Sequence, residues 1–441
     1  MKTFQVDFLG CKVNAYEIEA LREGFRHLGL SEARDGDGAD VYVLNTCSVT
    51  ANAGSTSRNR VRRALRENPR ADVLVTGCYA ESDRDLIERI EGVRRIFGND
   101  EKEAILPFVA SELMGSPDAE IPPFRITRMG AQTRAFVKIE DGCDDHCTFC
   151  IIPTLRGEAR SRDPSDIVEE VGELIRSGHR EVVLTGVHIG YFGKGLPDNG
   201  VPSSGPRRRG AHLAALLRRL VRIPGLERLK LSSIEVHEIT DDLVALLASD
   251  ERFAPHFHLP LQAGCDRTLR RMRRKYDTKI FRQRVRALES AIHAPAISTD
   301  VIVGFPGETD ADFQETMAFC RDIGFMKLHV FPYSVRSGTP AAEMDGHLPS
   351  RVIDERRHAL LALDEDLGGR WRQGFVGQTV PVLVEGRPHR DSGKLTGLTD
   401  RYLRVVFDGP ERLRGEIVPV RVDGVEGGVV FGLRHEPVEV T

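Results

Sequence analysis

The sequence predicts an α/β protein in three pieces: an N-terminal parallel α/β domain, a central partial (β/α)6 barrel and a small all-β barrel after it. Three observations carry this prediction. Apolar strand-like runs alternate with helical patterns through the first third, and that alternation makes a parallel sheet. Six further runs of the same kind, again separated by helical patterns, follow from about Thr133. Five short strand-like runs then crowd the region from Gly377 with no helix between them, as in a small barrel.

The first piece is expected over 1–115. Phe4–Cys11, Asp40–Cys47 and Asp72–Cys78 are apolar runs, and each ends in a cysteine. Between them the spacing predicts a helix over Ala15–Leu28, with Ile18, Leu21 and Phe25 near a 3.6-residue period, and another over Ser55–Asn68, stopped by Pro69. Ligands of an open parallel sheet bind beyond the carboxyl ends of its strands, so Cys11, Cys47 and Cys78 should converge on one edge. One buried cysteine is ordinary; three at equivalent positions point to a shared ligand. The second helix carries Arg58, Arg62 and Arg66 on one face. That face reads either as solvated surface or as a contact for RNA phosphates.

Residues 116–132, which open on Ser-Pro-Asp-Ala-Glu-Ile-Pro-Pro, read as a linker. The central piece is expected over 133–345. Its first strand, Ala135–Ile139, leads into a loop with Cys143, Cys147 and Cys150 at CxxxCxxC spacing. Soft thiolates select iron–sulfur clusters, zinc or Cu(I). A structural zinc wants four ligands, which His146 would have to complete. A four-iron cube on three cysteines leaves one iron open. The next helix is predicted over Pro164–Ser177 with Ser165 as its cap, and the remaining strands at Glu181–Gly186, Leu229–Glu235, His256–Gln262, Ser298–Phe305 and Lys327–Tyr333. Loops at the carboxyl ends of such strands carry the chemistry of β/α barrels. Thr185, Gly186, Glu235, Gln262 and Gly304 stand there, although each also suits a plain turn or cap. Gly190–Gly210 reads as an insertion ending in three arginines, Arg207–Arg209. Arg270 and Arg273 belong to a basic stretch on a predicted helix, a second candidate RNA contact. Cys265 and Cys320 lack partners at ligand spacing and read as buried thiols. A helical bridge is expected over 346–374 and the β-barrel over 375–441.

Composition bounds the function classes. The chain has 441 residues, 40% apolar and 29% charged, with a net charge of −4, the profile of an ordinary globular protein. No run of about 18 apolar residues is present, so no membrane span is expected. The first residues run straight into a strand pattern rather than a signal peptide. A cytoplasmic location follows, where thiols stay reduced, and eight cysteines then argue for metal binding or catalysis. The net charge leaves nucleic-acid contacts to local patches.

The CxxxCxxC loop after a first strand resembles the signature of radical S-adenosylmethionine (SAM) enzymes. Leu9-Gly-Cys-Lys-Val-Asn14, Asn45-Thr-Cys-Ser-Val-Thr50 and Val75-Thr-Gly-Cys-Tyr-Ala80 resemble the N-terminal domain of methylthiotransferases, and the last piece resembles their RNA-binding TRAM module. One departure is charge: from Gly374 onward there are nine lysines and arginines against ten acidic residues. The resemblance implies two [4Fe–4S] clusters. One, on Cys143, Cys147 and Cys150, would bind SAM through its open iron. The other, auxiliary, on Cys11, Cys47 and Cys78, would handle incoming sulfur. It implies SAM contacts from Thr185, Gly186, Glu235, Gln262 and Gly304, although the usual Gly-Gly-Glu is replaced around Thr185-Gly186. Gly10–Asn14 together with Leu184–Gly190 is most similar to members that act on N6-threonylcarbamoyladenosine beside the tRNA anticodon. The implied partners are tRNA, an electron donor and a sulfur source. The implied reaction uses a 5′-deoxyadenosyl radical to open adenine C2 to methylthio insertion. A C–H bond that inert is beyond a side-chain base, in keeping with the lack of any triad or paired-carboxylate pattern. The rival readings are the same chemistry on isopentenyladenosine or on a ribosomal-protein aspartate, an iron–sulfur electron carrier, and a plain RNA-binding protein.

Overall fold

Strands buried on both faces need helices above and below them, and the first unit is arranged that way. In the computed structural model, the described residues are 2–34, 36–48, 53–130, 132–197 and 210–434. They fall into two units. The first is the chain up to Gly130 together with Asp141–Asp144 and Ile151–Ala159; the second is Ala131–Glu140, Asp145–Cys150 and the chain from Arg160.

The first unit holds a five-stranded, all-parallel sheet in the order Ser31–Glu32, Thr3–Phe8, Val41–Thr46, Asp72–Gly77, Val93–Ile96. The helices Lys12–His27 and Ala53–Glu67 stand where periodicity predicts them, within a few residues. Phe4, Ile18, Leu21, Phe25, Val43 and Leu74 form one core on one side of the sheet. Tyr42, Leu44, Val61, Val73 and Tyr79 form a second core. The expected linker is irregular in backbone yet docked. Ile126 and Met129 are buried, and the Glu23 carboxylate accepts from the amides of Thr127 and Arg128 at 2.8 Å each.

The second unit contains six parallel strands in chain order. Arg134–Lys138, Glu181–Thr185 and Arg228–Leu231 form one three-stranded sheet. His256–His258, Ala296–Val303 and Lys327–Pro332 form the other. The parallel bridges Leu229 to Phe253 and Ser233 to His258 join the two. The result is the partial barrel expected. Two local expectations are corrected. The helix Pro164–Arg176 is capped by Asp163, whose carboxylate accepts from the Ser165 amide at 2.6 Å; Pro164 takes the first helical position, which moves the cap one residue earlier. The basic stretch from Arg270 is not one helix. Helix Asp266–Arg271 ends there, and Arg273 adopts a positive φ of 55°. Arg207–Arg209 lie outside the described residues.

The same unit carries a closed antiparallel-rich barrel: Thr379–Val384, Leu395–Thr399, Arg404–Phe407, Val429–Arg434 and Ile417–Glu426, in that order around the ring. It follows the helix Ser350–Gln373. Basic residues fasten it to the six-stranded barrel. Arg134 pairs with Glu385 at 2.7 Å, Arg228 donates to the Pro381 carbonyl at 3.1 Å, and the Lys230 ammonium lies over the Tyr402 ring.

Candidate metal centres

All eight cysteines are described and none forms a disulfide. Cys11 caps the helix Lys12–His27, Cys47 follows the strand Val41–Thr46, and Cys78 follows the strand Asp72–Gly77. The three adjacent strand ends therefore present three thiols, as the repeat predicts. The loop before Cys11 packs against Cys47: a Cβ on Gly10, at φ +92°, would lie 2.4 Å from Cys47 Sγ. Only glycine permits that approach.

Asn14 and Arg156 stitch the edge together. Asn14 Nδ2 donates to the carbonyls of Leu9 and Thr46, at 2.7 and 3.0 Å. Asn14 Oδ1 accepts from Arg156 Nη2 at 2.7 Å. Arg156 Nε lies 3.4 Å from Cys78 Sγ. Its Nη1 faces Asp141 at 2.8 Å and Glu17 at 3.4 Å. Glu17, fully buried, also takes Lys102 Nζ at 2.6 Å and Asn45 Nδ2 at 2.8 Å. Burial alone would push the Arg156 guanidinium down, but the carboxylates of Glu17 and Asp141, with Cys78 and Cys11, hold it well above its usual range. It is charged at any working pH.

These residues fit an iron–sulfur cluster. The donor set is thiol only, Arg156 is a buried, permanently charged cation against Cys78, and thiolate clusters are anionic. Among the described residues, Asn45 Oδ1 and Ser48 Oγ are buried beside Cys47 without a hydrogen-bond partner.

The residues of the CxxxCxxC segment are fixed within their own units. In the first unit, Cys143 N donates to the Gly157 carbonyl at 3.1 Å, and Gly142 is so close to Glu158 O that a Cβ would sit 2.1 Å from it. In the second unit, Thr148 N donates to Met272 O at 3.1 Å and Thr148 Oγ1 to Arg271 O at 3.0 Å. Arg274 Nη1 donates to Cys147 Sγ at 3.1 Å, and Arg274 also pairs with Glu235. Burial pushes the Cys147 thiol up, and Arg274 pulls it back. Asp145 is tied to Lys275, to Tyr191 at 2.7 Å and to His188 at 3.4 Å. Burial alone would raise its carboxyl, but these partners hold it below the usual range. His146, the fourth ligand a zinc reading needs, is exposed.

The other expected site residues are placed as follows. Thr185 ends its strand, buried. A Cβ on Gly186 would stand 2.7 Å from Glu140 Oε2. Gln262 has a positive φ of 65° and bridges to Val301. Gly304, at φ +76°, donates its amide to Glu308 and packs against Ile353. Arg58 lies over the Tyr79 ring, whereas Arg62, Arg66, Arg270 and Arg273 are exposed. Cys265 and Cys320 are buried thiols; burial pushes them up to about 11 and about 12.

Sequence reasoning missed Arg156, Arg274 and the trio His258, Asp300 and His329. The trio's ligand-type atoms lie within 4.8 Å of one another on three adjacent barrel strands, and His258 Nε2 is 3.2 Å from Asp300.

Known proteins resemble this chain over nearly its whole length. Residues 137–320 match the Radical SAM superfamily, residues 3–98 the Uncharacterized protein family UPF0004, and residues 373–433 the TRAM domain. A threonylcarbamoyladenosine tRNA methylthiotransferase, MtaB, of Bacillus subtilis is 37% identical over 96% of this chain and 94% of its own. A tRNA-2-methylthio-N(6)-dimethylallyladenosine synthase of Mycobacterium bovis is 37% identical over 96% of this chain and 85% of its own. Among solved structures, the radical S-adenosylmethionine methyltransferase TsrM of Kitasatospora setae shares the fold, with a TM-score of 0.57 at 13% identity over 77% of each chain. SAM and one [4Fe–4S] cluster come with the superfamily. The chain is an enzyme and belongs to the radical SAM methylthiotransferase family, of the MtaB type.

Proposed function

We propose that this chain installs a methylthio group at C2 of N6-threonylcarbamoyladenosine in tRNA, using two [4Fe–4S] clusters and SAM. The observation that carries the reading is the pairing of two cysteine trios, each with one buried arginine donating to a thiol: Arg156 to Cys78 and Arg274 to Cys147. Cys143, Cys147 and Cys150 would hold the cluster that cleaves SAM and supplies the radical. Cys11, Cys47 and Cys78 would hold the auxiliary cluster that carries the sulfur.

The protein's own groups do the rest. Arg274 and Glu235 keep a charged pair beside Cys147. Thr185, Gly186, Gln262 and Gly304 line the strand ends where SAM would lie. His258, Asp300 and His329 offer polar groups to the modified base. The boundaries 1–115, 133–345 and 375–441 divide these tasks among auxiliary cluster, SAM chemistry and RNA contact. No helix among the described residues is long and apolar enough to cross a membrane, which suits an enzyme that meets tRNA in the cytoplasm. Exposed Arg62, Arg66, Arg270 and Arg273 are the backbone-contacting candidates; Arg58, engaged with Tyr79, is the weakest of the set.

A second reading, the dimethylallyladenosine substrate, rests on the equal identity to the Mycobacterium bovis relative. Mass spectrometry of tRNA nucleosides from a deletion strain separates the two. The expected result is loss of the 2-methylthio form of N6-threonylcarbamoyladenosine, its recovery with the wild-type chain, and reduced recovery with Arg62→Glu/Arg66→Glu. Loss of the dimethylallyl product instead contradicts the proposal.

A further inference from the structure

We propose that Arg156 is a positioning residue that sets the reduction potential of the auxiliary cluster, holding it less negative than its thiolates alone would. This inference rests on the reading that Cys11, Cys47 and Cys78 hold such a cluster.

Arg156 ends the short helix Ile152–Arg156, six residues beyond Cys150. Its side chain is only 2% exposed. A buried guanidinium must be paired, and Glu17 and Asp141 would suffice for that. Yet Nε turns to Cys78 Sγ at 3.4 Å, and Nη2 to Asn14. Asn14 Oδ1 lies 3.8 Å from Cys11 Sγ, and Asn14 Nδ2 holds the Thr46 carbonyl next to Cys47. One guanidinium thus reaches Cys78 directly and the other two cysteines through a single amide. Hydrogen bonds to ligand sulfurs, net charge and solvent exposure set the potentials of such clusters. A fixed positive charge buried against a ligand sulfur stabilises the reduced, more negative form. Glu17 and Asp141 act in the opposite sense, and Lys102 partly offsets Glu17.

The local charge is therefore balanced rather than simply positive, and the balance can be moved either way. Arg156→Lys keeps a cation but loses the Nε donor and the fork to Asn14. Arg156→Met loses both. Asp141→Asn, at a side chain 15% exposed, removes one negative charge with little demand on the core.

The test is redox titration followed by electron paramagnetic resonance in a background of Cys143→Ala/Cys147→Ala/Cys150→Ala, so that only the auxiliary cluster is read. Relative to that background, the midpoint should become more negative in Arg156→Lys and further so in Arg156→Met, and less negative in Asp141→Asn. An unchanged midpoint in Arg156→Lys and Asp141→Asn, or shifts of one sign in both, overturns the inference, even if Arg156→Met fails to fold. A background protein that binds no iron overturns instead the reading on which it rests.

Discussion

Cys147→Ala should abolish release of 5′-deoxyadenosine when the reconstituted protein is given SAM and a reductant under anaerobic conditions. Cys147 is the most enclosed thiol of the CxxxCxxC loop, 8% exposed, and the one that Arg274 addresses at 3.1 Å. A three-cysteine cluster has no spare protein ligand, so losing one thiolate removes a third of the protein's hold on it and takes from Arg274 the sulfur it donates to, leaving Glu235. His146 is exposed and serine or threonine are poor ligands for a soft site, so no neighbour replaces it. The expected loss is of the whole radical step, about 10³-fold or more in rate. Persistent 5′-deoxyadenosine at more than a few per cent of the wild-type rate would contradict the ligand assignment.

The second large effect is on stability. Glu17→Ala should destabilise the first unit by about 3–5 kcal/mol, the cost of breaking a buried ion pair by removing one partner. Glu17 is fully buried and faces Lys102 at 4% exposure and Arg156 at 2%. Asp141 would still serve Arg156. Lys102, whose Nζ also donates to Asn99 Oδ1 at 2.7 Å, would lose the carboxylate it pairs with at 2.6 Å. Removing a buried carboxylate from two buried cations costs far more than removing an exposed one. A urea titration monitored in the first unit should show the midpoint fall at unchanged slope. A loss below about 1 kcal/mol would mean that solvent reaches Lys102 and that this edge is not dry.

Much of this architecture is legible in the residues. The strand ends that carry Cys11, Cys47 and Cys78 announce themselves because each apolar run stops at its cysteine, and the six barrel strands because β/α alternation repeats. Short-range facts of that kind survive in one dimension. The failures are of two other kinds. The cap at Asp163 was misplaced because Ser165 and Asp163 are both good caps, and only the proline between them decides. Arg156 left no local mark: its partner Glu17 is 139 residues away, and Asn14 is 142 away. The same holds for His258, Asp300 and His329. Their meeting depends on strand register, with Asp300 opposite His329 and His258 opposite Ser298. Basic stretches hide a third kind of fact. Arg58 read as solvated surface or RNA contact and lies over Tyr79, and Arg274, in the basic stretch from Arg270, turns its head group inward to Cys147, because an arginine's long stem allows it.

The central claim is that this chain grips two cubes of iron and sulfide with separate sets of thiolates. Iron and acid-labile sulfide should be measured after anaerobic reconstitution of the wild type, of Cys143→Ala/Cys147→Ala/Cys150→Ala and of Cys11→Ala/Cys47→Ala/Cys78→Ala. Each triple variant should retain half of the wild-type iron and sulfide. A variant that retains all of it, or a wild type that takes up no more than either variant, would contradict the account.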